Sequence, residues 1–412
     1  MKIGNAGGFW GDDLEAPAKL EQSGLDYLTL DYLAELSLSI MAVQREKNPL
    51  LGYAEDFLDV AVSLQKASCK VITNAGGLNP EGLKKALEER ISGKKIIAVS
   101  GDDVFKTLKS DPDNPLYRNL ENNKPLKEVV DRLVSANAYL GARGIAQALK
   151  EGADIVVTGR VADPSLTVGP ALFHYGWKED DYDKIAQATV AGHLIECGTQ
   201  VTGGISTAWD TLDNPWDIGY PYVEMDETGS FVITKPEGTS GRVDMQTVKE
   251  QLLYEIGDPD RYLSPDATVS FLGLRLNEEG RNRVRITGAR GSPPPPSYKV
   301  SASYREGFRA EGTLLFIGGD AKGKAQQGAT MILKRSTVDT SLTELFGEKD
   351  ECLLRLAAFA KEKGPLEHFL RQFAPLVTSG PPGTTGYTGG RGKVRPVFGF
   401  WPCLISRKVI DG

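Results

Sequence analysis

The chain has 412 residues, 40% hydrophobic and 25% charged, with a formal net charge of -7. That length exceeds what one hydrophobic core usually serves, so two domains are expected. The acidic balance excludes a broad nucleic-acid footprint, and no apolar run has the length of a membrane span or the layout of a signal peptide. Cys69, Cys197, Cys352 and Cys403 are scattered without a CxxC pair. That pattern argues against a zinc ribbon or disulfide framework and fits a reducing cytoplasm.

The first half alternates strand and helix patterns. MKIGNAGG reads as a strand breaking into a Gly turn, and EAPAKLEQSG as a helix closed by Gly24. A second strand is expected near Tyr27 to Asp31, followed by apolar residues at helical spacing in GYAEDFLDVAVSLQKAS. KVITNAGG is a third strand and turn. PEGLKKALEERISG opens with Pro and closes with Gly, as helices prefer. KKIIAVSGDD and ADIVVTGRVADPS supply a fourth and a fifth strand, with the helix-like LGARGIAQALKEG between them. This rhythm predicts an open, Rossmann-like parallel sheet with helices on both faces. The polar run Pro112 to Pro125 interrupts it as a surface excursion.

After Trp209 the pattern changes, and an α+β domain is expected over 216–412, with the boundary near residue 215 and a cleft completed between it and 1–215. SFVITK, ATVSFLGLRL, RNRVRITGA, YKVSASY and TLLFIGG read as strands. QTVKEQLLYEIG, AQQGATMILKR and much of LTELFGEKDECLLRLAAFAKEKG read as helix. GSPPPPS is a rigid polyproline element. TSGPPGTTGYTGGRG is a Gly/Pro loop before the strand-like VRPVFGF.

Ligands of open parallel sheets bind beyond the carboxyl ends of the strands. The loops there are NAGGFWGDD, DYLAE, NAGGLNP, GDD and GRVADPS, all carrying Gly or carboxylates. In the two NAGG loops, backbone N–H groups near Gly7, Gly8, Gly76 and Gly77 can approach an anion, with Asn5 and Asn74 orienting a carboxylate or carbonyl. Gly and Asn also simply serve tight turns. Neither loop has the GxGxxG spacing or the P-loop Lys-Ser/Thr, so NAD and ATP fingerprints are missing.

Asp31, Asp102, Asp103 and Asp163 end strands, where burial raises carboxyl pKa values for acid/base work. Helix capping and a water-mediated Mg²⁺ site are the alternatives. Arg160 follows a strand, suited to a carboxylate or phosphate. AGHLIECGTQVTGG puts His193 and Cys197 four apart with Glu196 adjoining, a pattern for a His acid/base or an activated thiolate. A metal there needs further ligands, so none is assigned. Lys299 and Arg391, beside Pro- or Gly-rich loops, are candidate anion clamps from the far side of a cleft; solvated surface charge is their alternative reading.

Together IGNAGGFWGD, LDYLAELSLSI, NAGGLNPEG, GRVADPSL, GHLIECGTQVTGG and PPPPSYKVS resemble the acyclic terpene utilisation family, over essentially the whole chain. The resemblance implies breakdown of branched carboxylic acids or their CoA thioesters. Longer members carry a small ferredoxin-like domain, expected here to be absent or supplied by a separate partner. The resemblance carries over no catalytic residues. The expected chemistry is that of a hydratase, dehydratase or related lyase, or an isomerase. A non-catalytic ligand-binding subunit is the alternative, and a homo-oligomer is expected for a metabolic protein of this size.

Overall fold

The computed structural model describes residues 1–387 and 390–411. Thr388 and Gly389, within the expected Gly/Pro loop, lie outside the described residues. The chain divides into two compact units. The first contains Met1–Val130, Val134–Ala302 and Trp401–Gly412, and the second Asp131–Leu133 and Ser303–Phe400.

The first unit is built on a nine-stranded sheet. Its strands are β1 (Lys2–Asn5), β2 (Tyr27–Leu30), β3 (Lys70–Thr73), β4 (Ile96–Val99), β5 (Ile155–Thr158), β6 (Tyr222–Met225), β7 (Phe231–Thr234), β8 (Arg275–Gly280) and β9 (Arg283–Thr287). In space they run β8-β9-β7-β6-β1-β2-β3-β5-β4. The strands β1, β2, β3, β5 and β4 pair in parallel, with register such as Ile3 beside Tyr27 and Val71 beside Ile155. β6, β7, β9 and β8 continue the sheet antiparallel.

The change of character near residue 215 is therefore a change of strand direction. The sheet runs across it, because β6 pairs directly with β1. Helices Ala16–Glu21, Phe57–Ser63 and Pro80–Arg90 supply one core, with Leu20, Phe57, Leu83 and Leu87 buried around Leu28 and Val71. Helices Arg143–Lys150, Ser165–Tyr175 and Tyr182–Ile195 supply a second, around Ile72 and Val156. Adjacent residues of β3 and β5 thus fall in different cores, as alternation along a strand requires. The Pro112–Pro125 excursion is pinned: Leu120 N donates to Pro402 O (2.9 Å), and Trp401 Nε1 to Tyr117 O (3.0 Å).

In the second unit, the long strand Ser297–Ile317, whose residues from Ser303 belong here, pairs with Glu351–Ala360, which pairs with Thr340–Gly347. Helices Ala321–Lys334 and Lys363–Arg371 share a core with Phe316, Leu354 and Leu356. The helix expected over much of 342–364 is a hairpin. Cys352, Leu354, Leu356, Ala358 and Ala360 are buried while their alternates are less so. That two-residue period overrides the helix preference of Leu, Ala and Glu, because strand partners lie on both sides.

Candidate active site

The carboxyl ends of β1, β2 and β5 open into a cavity of about 870 Å³ within the first unit, well within the range of small-molecule sites. Gly8, Asp31, Leu33, Arg160, Asp163, His193, Glu196, Cys197 and Lys299 all line it. The opposite wall comes from residues 254–255, 261–265 and 295–299 together with Leu404. A second cavity of about 780 Å³, around Trp216 and Tyr220, is lined by Asp13, Lys19, Asp217 and Glu237 and by none of the residues singled out in the sequence.

The helix Tyr182–Ile195 ends at the site. His193 is buried; its Nε2 lies 2.9 Å from Gln251 O and its Nδ1 3.0 Å from Glu196 Oε1. A carbonyl only accepts, so Nε2 carries hydrogen, and a proton is shared between Nδ1 and Glu196. Burial pushes Glu196 up to about 7, opposed by its bond to His193. Burial works against the His193 imidazolium, but the hydrogen bond and charge of Glu196 outweigh it and raise its pKa. Glu196 Oε2 is buried without a hydrogen-bond partner among the described residues. Burial also pushes the Cys197 thiol up to about 12, reinforced by Glu196. Cys197 lies past the end of the helix, so the expected activated thiolate on a shared helical face does not form.

Two close approaches seat this helix end. A Cβ on Gly8 would lie 2.9 Å from the Cys197 carbonyl carbon, and one on Gly192 would lie 2.7 Å from Pro164 Cα. Asn5 completes the attachment. Its Nδ2 donates to Ile195 O (2.9 Å), Glu196 O (2.9 Å) and Gly7 O (3.0 Å), and its Oδ1 accepts from Thr29 (3.0 Å).

Arg160 is only 2% exposed. Its guanidinium donates to Leu33 O (2.8 Å), pairs with Asp163 and lies 4.2 Å from the centre of the Tyr139 ring. Lys299, exposed, lies 5.0 Å from that ring centre. Asp31 Oδ1 accepts from Asn74 Nδ2 (2.6 Å) and Leu33 N (3.1 Å). Burial, and then the charge of Asp163, hold its pKa well above the usual carboxylate range, against the pull of Arg160.

Several expected ligand contacts are instead structural. Asn5 and Asn74 are buried and bonded within the protein, and neither lines the cavity. The Gly7 carbonyl accepts from Asp31 N, and the Gly8 N–H is taken by Asp12. Gly76 packs against Thr158 and Gly77 against Met41, both away from the cavity. Asp102 lies behind Arg160, accepting from its N–H (2.8 Å) and from Asn137 Nδ2 (2.7 Å); burial lifts its pKa to about 6. Asp103 is exposed and binds Phe105 N (3.0 Å) in a turn. Arg391 is exposed in the second unit and does not line the cavity. Among the described residues, no three His, Cys, Asp or Glu side chains come together to hold a metal ion.

Tyr139, Tyr262, Arg261, Leu263 and Tyr298 escaped the sequence reading. Tyr139 follows the strand Leu133–Ala138, Arg261 precedes the short strand Tyr262–Leu263, and Tyr298 lies at the start of the strand Ser297–Ile317. Tyr262 packs its ring 6.2 Å from that of His193 and 5.6 Å from that of Phe271. Burial, with Glu196 and Asp163 nearby, raises its phenol well above the ordinary value.

Among the described residues, no helix is long and apolar enough to cross a membrane. No curated protein matches the sequence. Two crystal structures of homoserine dehydrogenase from S. aureus, at pH 7.5 and pH 7.0, are similar at 10% identity over 93% of this chain and 83% of theirs. Their TM-scores of 0.14 and 0.16 carry no structural argument. The family model for acyclic terpene utilisation family protein AtuA matches residues 1–412, and the chain belongs to that family.

Proposed function

We propose that the chain is a catabolic acid/base enzyme that adds or removes water beside the carboxyl or thioester carbon of a branched acyclic acid. One observation carries the reading. Glu196, buried in the cavity wall, shares a proton with His193, titrates near neutrality and keeps one oxygen unpartnered. A base with such a pKa gives and takes protons efficiently at physiological pH. The family's link to acyclic terpene utilisation supports a catabolic setting.

In the dehydration direction, the Glu196 carboxylate removes the proton from the carbon next to the carboxyl group. Arg160 and Lys299 offset the negative charge that then develops on its oxygens. Asp31, kept neutral by burial, donates a proton to the departing hydroxyl, which leaves as water. Proton exchange with solvent then returns Glu196 and Asp31 to their starting forms. Asp163 holds Arg160 in place, and His193 holds Glu196.

The test is to incubate the purified protein with branched α,β-unsaturated acids and their CoA thioesters and to follow loss of the conjugated absorbance. Glu196→Gln is expected to lose on the order of 10²–10⁴-fold in turnover while still binding ligand. Full activity in that variant would sink the assignment. Binding without turnover by the wild type would transfer the site to a ligand-binding subunit.

A further inference from the structure

Tyr139, Tyr254, Tyr262 and Tyr298 line the cavity, and they are used differently. The Tyr298 hydroxyl donates to Asp411 (2.8 Å) and accepts from Arg407 (2.7 Å). Tyr254 is exposed, and its phenol stands beside Glu255. The Tyr139 ring is occupied by Arg160 and Lys299. Among the described residues the Tyr262 hydroxyl makes no hydrogen bond, and its oxygen keeps some solvent access. A phenol set in an apolar packing site ordinarily finds a partner for its O–H. The rest of the side chain is fixed in place. Tyr262 pairs with Val269 in a short antiparallel sheet. The ring centres of Tyr262, His193 and Phe271 lie 5.6 Å, 6.0 Å and 6.2 Å apart in pairs.

We infer that Tyr262 is a catalytic hydrogen-bond donor, whose hydroxyl holds the substrate oxygen on which negative charge develops. This rests on the proton abstraction by Glu196 proposed above, and it adds a group that meets the resulting charge. His193 bonds Glu196 and packs against the Tyr262 ring, so one side chain steadies both base and donor. When Glu196 takes the proton from the carbon, the electron pair moves into the carboxyl or thioester group and onto its oxygen. The Tyr262 O–H bonds to that oxygen and keeps its own proton. As the substrate hydroxyl leaves with the proton from Asp31, the pair returns to form the carbon–carbon double bond. Burial and the nearby carboxylates of Glu196, Asp163 and Glu255 keep the phenol protonated, which suits it to donating. A donor fixed in place before the reaction needs no reorganisation as the charge appears.

Tyr262→Phe removes only the hydroxyl and keeps the ring against His193 and Phe271, so it should melt like the wild type. It is expected to lose on the order of 10²–10³-fold in kcat, with a smaller change in KM. Tyr262→Leu tests the ring: full activity in the Phe variant and loss only in the Leu variant would assign Tyr262 to packing and overturn the inference. A second readout needs no turnover. The preformed nitronate of 1-nitro-2-methylpropane spreads negative charge over two oxygens beside a planar carbon, as deprotonated 3-methylbutanoate does. By calorimetry the wild type is expected to bind it at least ~10-fold tighter than 3-methylbutanoate, and Tyr262→Phe to bind the two within about threefold of each other. Glu196→Gln should keep the preference, because the nitronate has no proton left to give. Loss of the preference in Tyr262→Phe beside full activity in Glu196→Gln removes the base and leaves the donor. Native turnover and preference in Tyr262→Phe beside an inactive Glu196→Gln removes the donor and leaves the base.

Discussion

Glu196 and Asp102 are both carboxyls raised by burial, yet they do different work. Glu196 lines the cavity and shares its proton with His193, so under the proposed function its titration is read in activity. Turnover limited by base removal of a proton is expected to rise with pH through about 7, and a pH–rate profile checks this. His193 opposes the effect of burial on Glu196, so moving that rise to higher pH by His193→Gln would support the pairing; an unmoved profile would remove it. Asp102 sits behind Arg160 and titrates near 6, against 3.8 for the free group. Because its folded-state pKa is the higher one, its favourable contribution is complete below about 4 and lost as pH rises through 6. A shift of this size corresponds to at most ~3 kcal/mol. In Asp102→Asn the Tm difference, variant minus wild type, should therefore grow as pH rises from 4 to 7, as measured by calorimetry. A constant difference would mean that Asp102 does not titrate in this range. Arg160, Asp163, Asp31 and His193 were legible as candidates because each stands at a strand or helix end. Their individual roles were not legible, since burial and partners set them and neither is local in sequence.

Among the elements, the two NAGG loops turn out to be frame. They follow β1 and β3, with β2 between them. Asn5 ties the first loop to the end of the His193 helix, and Asn74 holds Asp31 after β2. Asn5→Ala leaves the buried Ile195 and Glu196 carbonyls short of a donor. It should cost about 1–3 kcal/mol in urea unfolding and also lower turnover, because Glu196 loses its anchor. Unchanged stability and activity would deny the Asn5 attachment its importance. The hairpin of the second unit is testable by alternation. Leu354→Ala, in the core, should cost ~2–5 kcal/mol, whereas Leu353→Ala, on the other face, should cost clearly less. Equal costs would contradict the strand. The parallel strands were readable because each is a short apolar run bounded by Gly or Asp. The hairpin was not, because helix-forming residues fill it and only its neighbours in space select the strand period.

At the scale of the whole molecule, the chain returns to the first unit after Phe400, and its last segment supports the cavity wall. Arg407 donates to Pro295 O (2.8 Å), to Pro265 O and to the Tyr298 hydroxyl (2.7 Å). Pro265, Pro295 and Tyr298 line the cavity while Arg407 stands behind them. Arg407→Ala is expected to destabilise the protein by ~2–3 kcal/mol, the worth of lost hydrogen bonds from a charged donor. It should weaken acid binding more than it slows the bound substrate, so KM should change more than kcat. A variant with native Tm and native KM would show that the wall stands without it. The sequence alone determined the strand–helix alternation of the first half, the loops at the strand ends and the family, because these depend on local pattern and residue identity. Only the tertiary structure decided that the strands after residue 215 extend the same sheet, that Glu196 bonds His193 while Cys197 lies past the helix end, and that Arg407 from the last segment holds Pro265, Pro295 and Tyr298 of the cavity wall. Each of those outcomes depends on burial and on contacts between residues far apart in the chain, which no local pattern encodes.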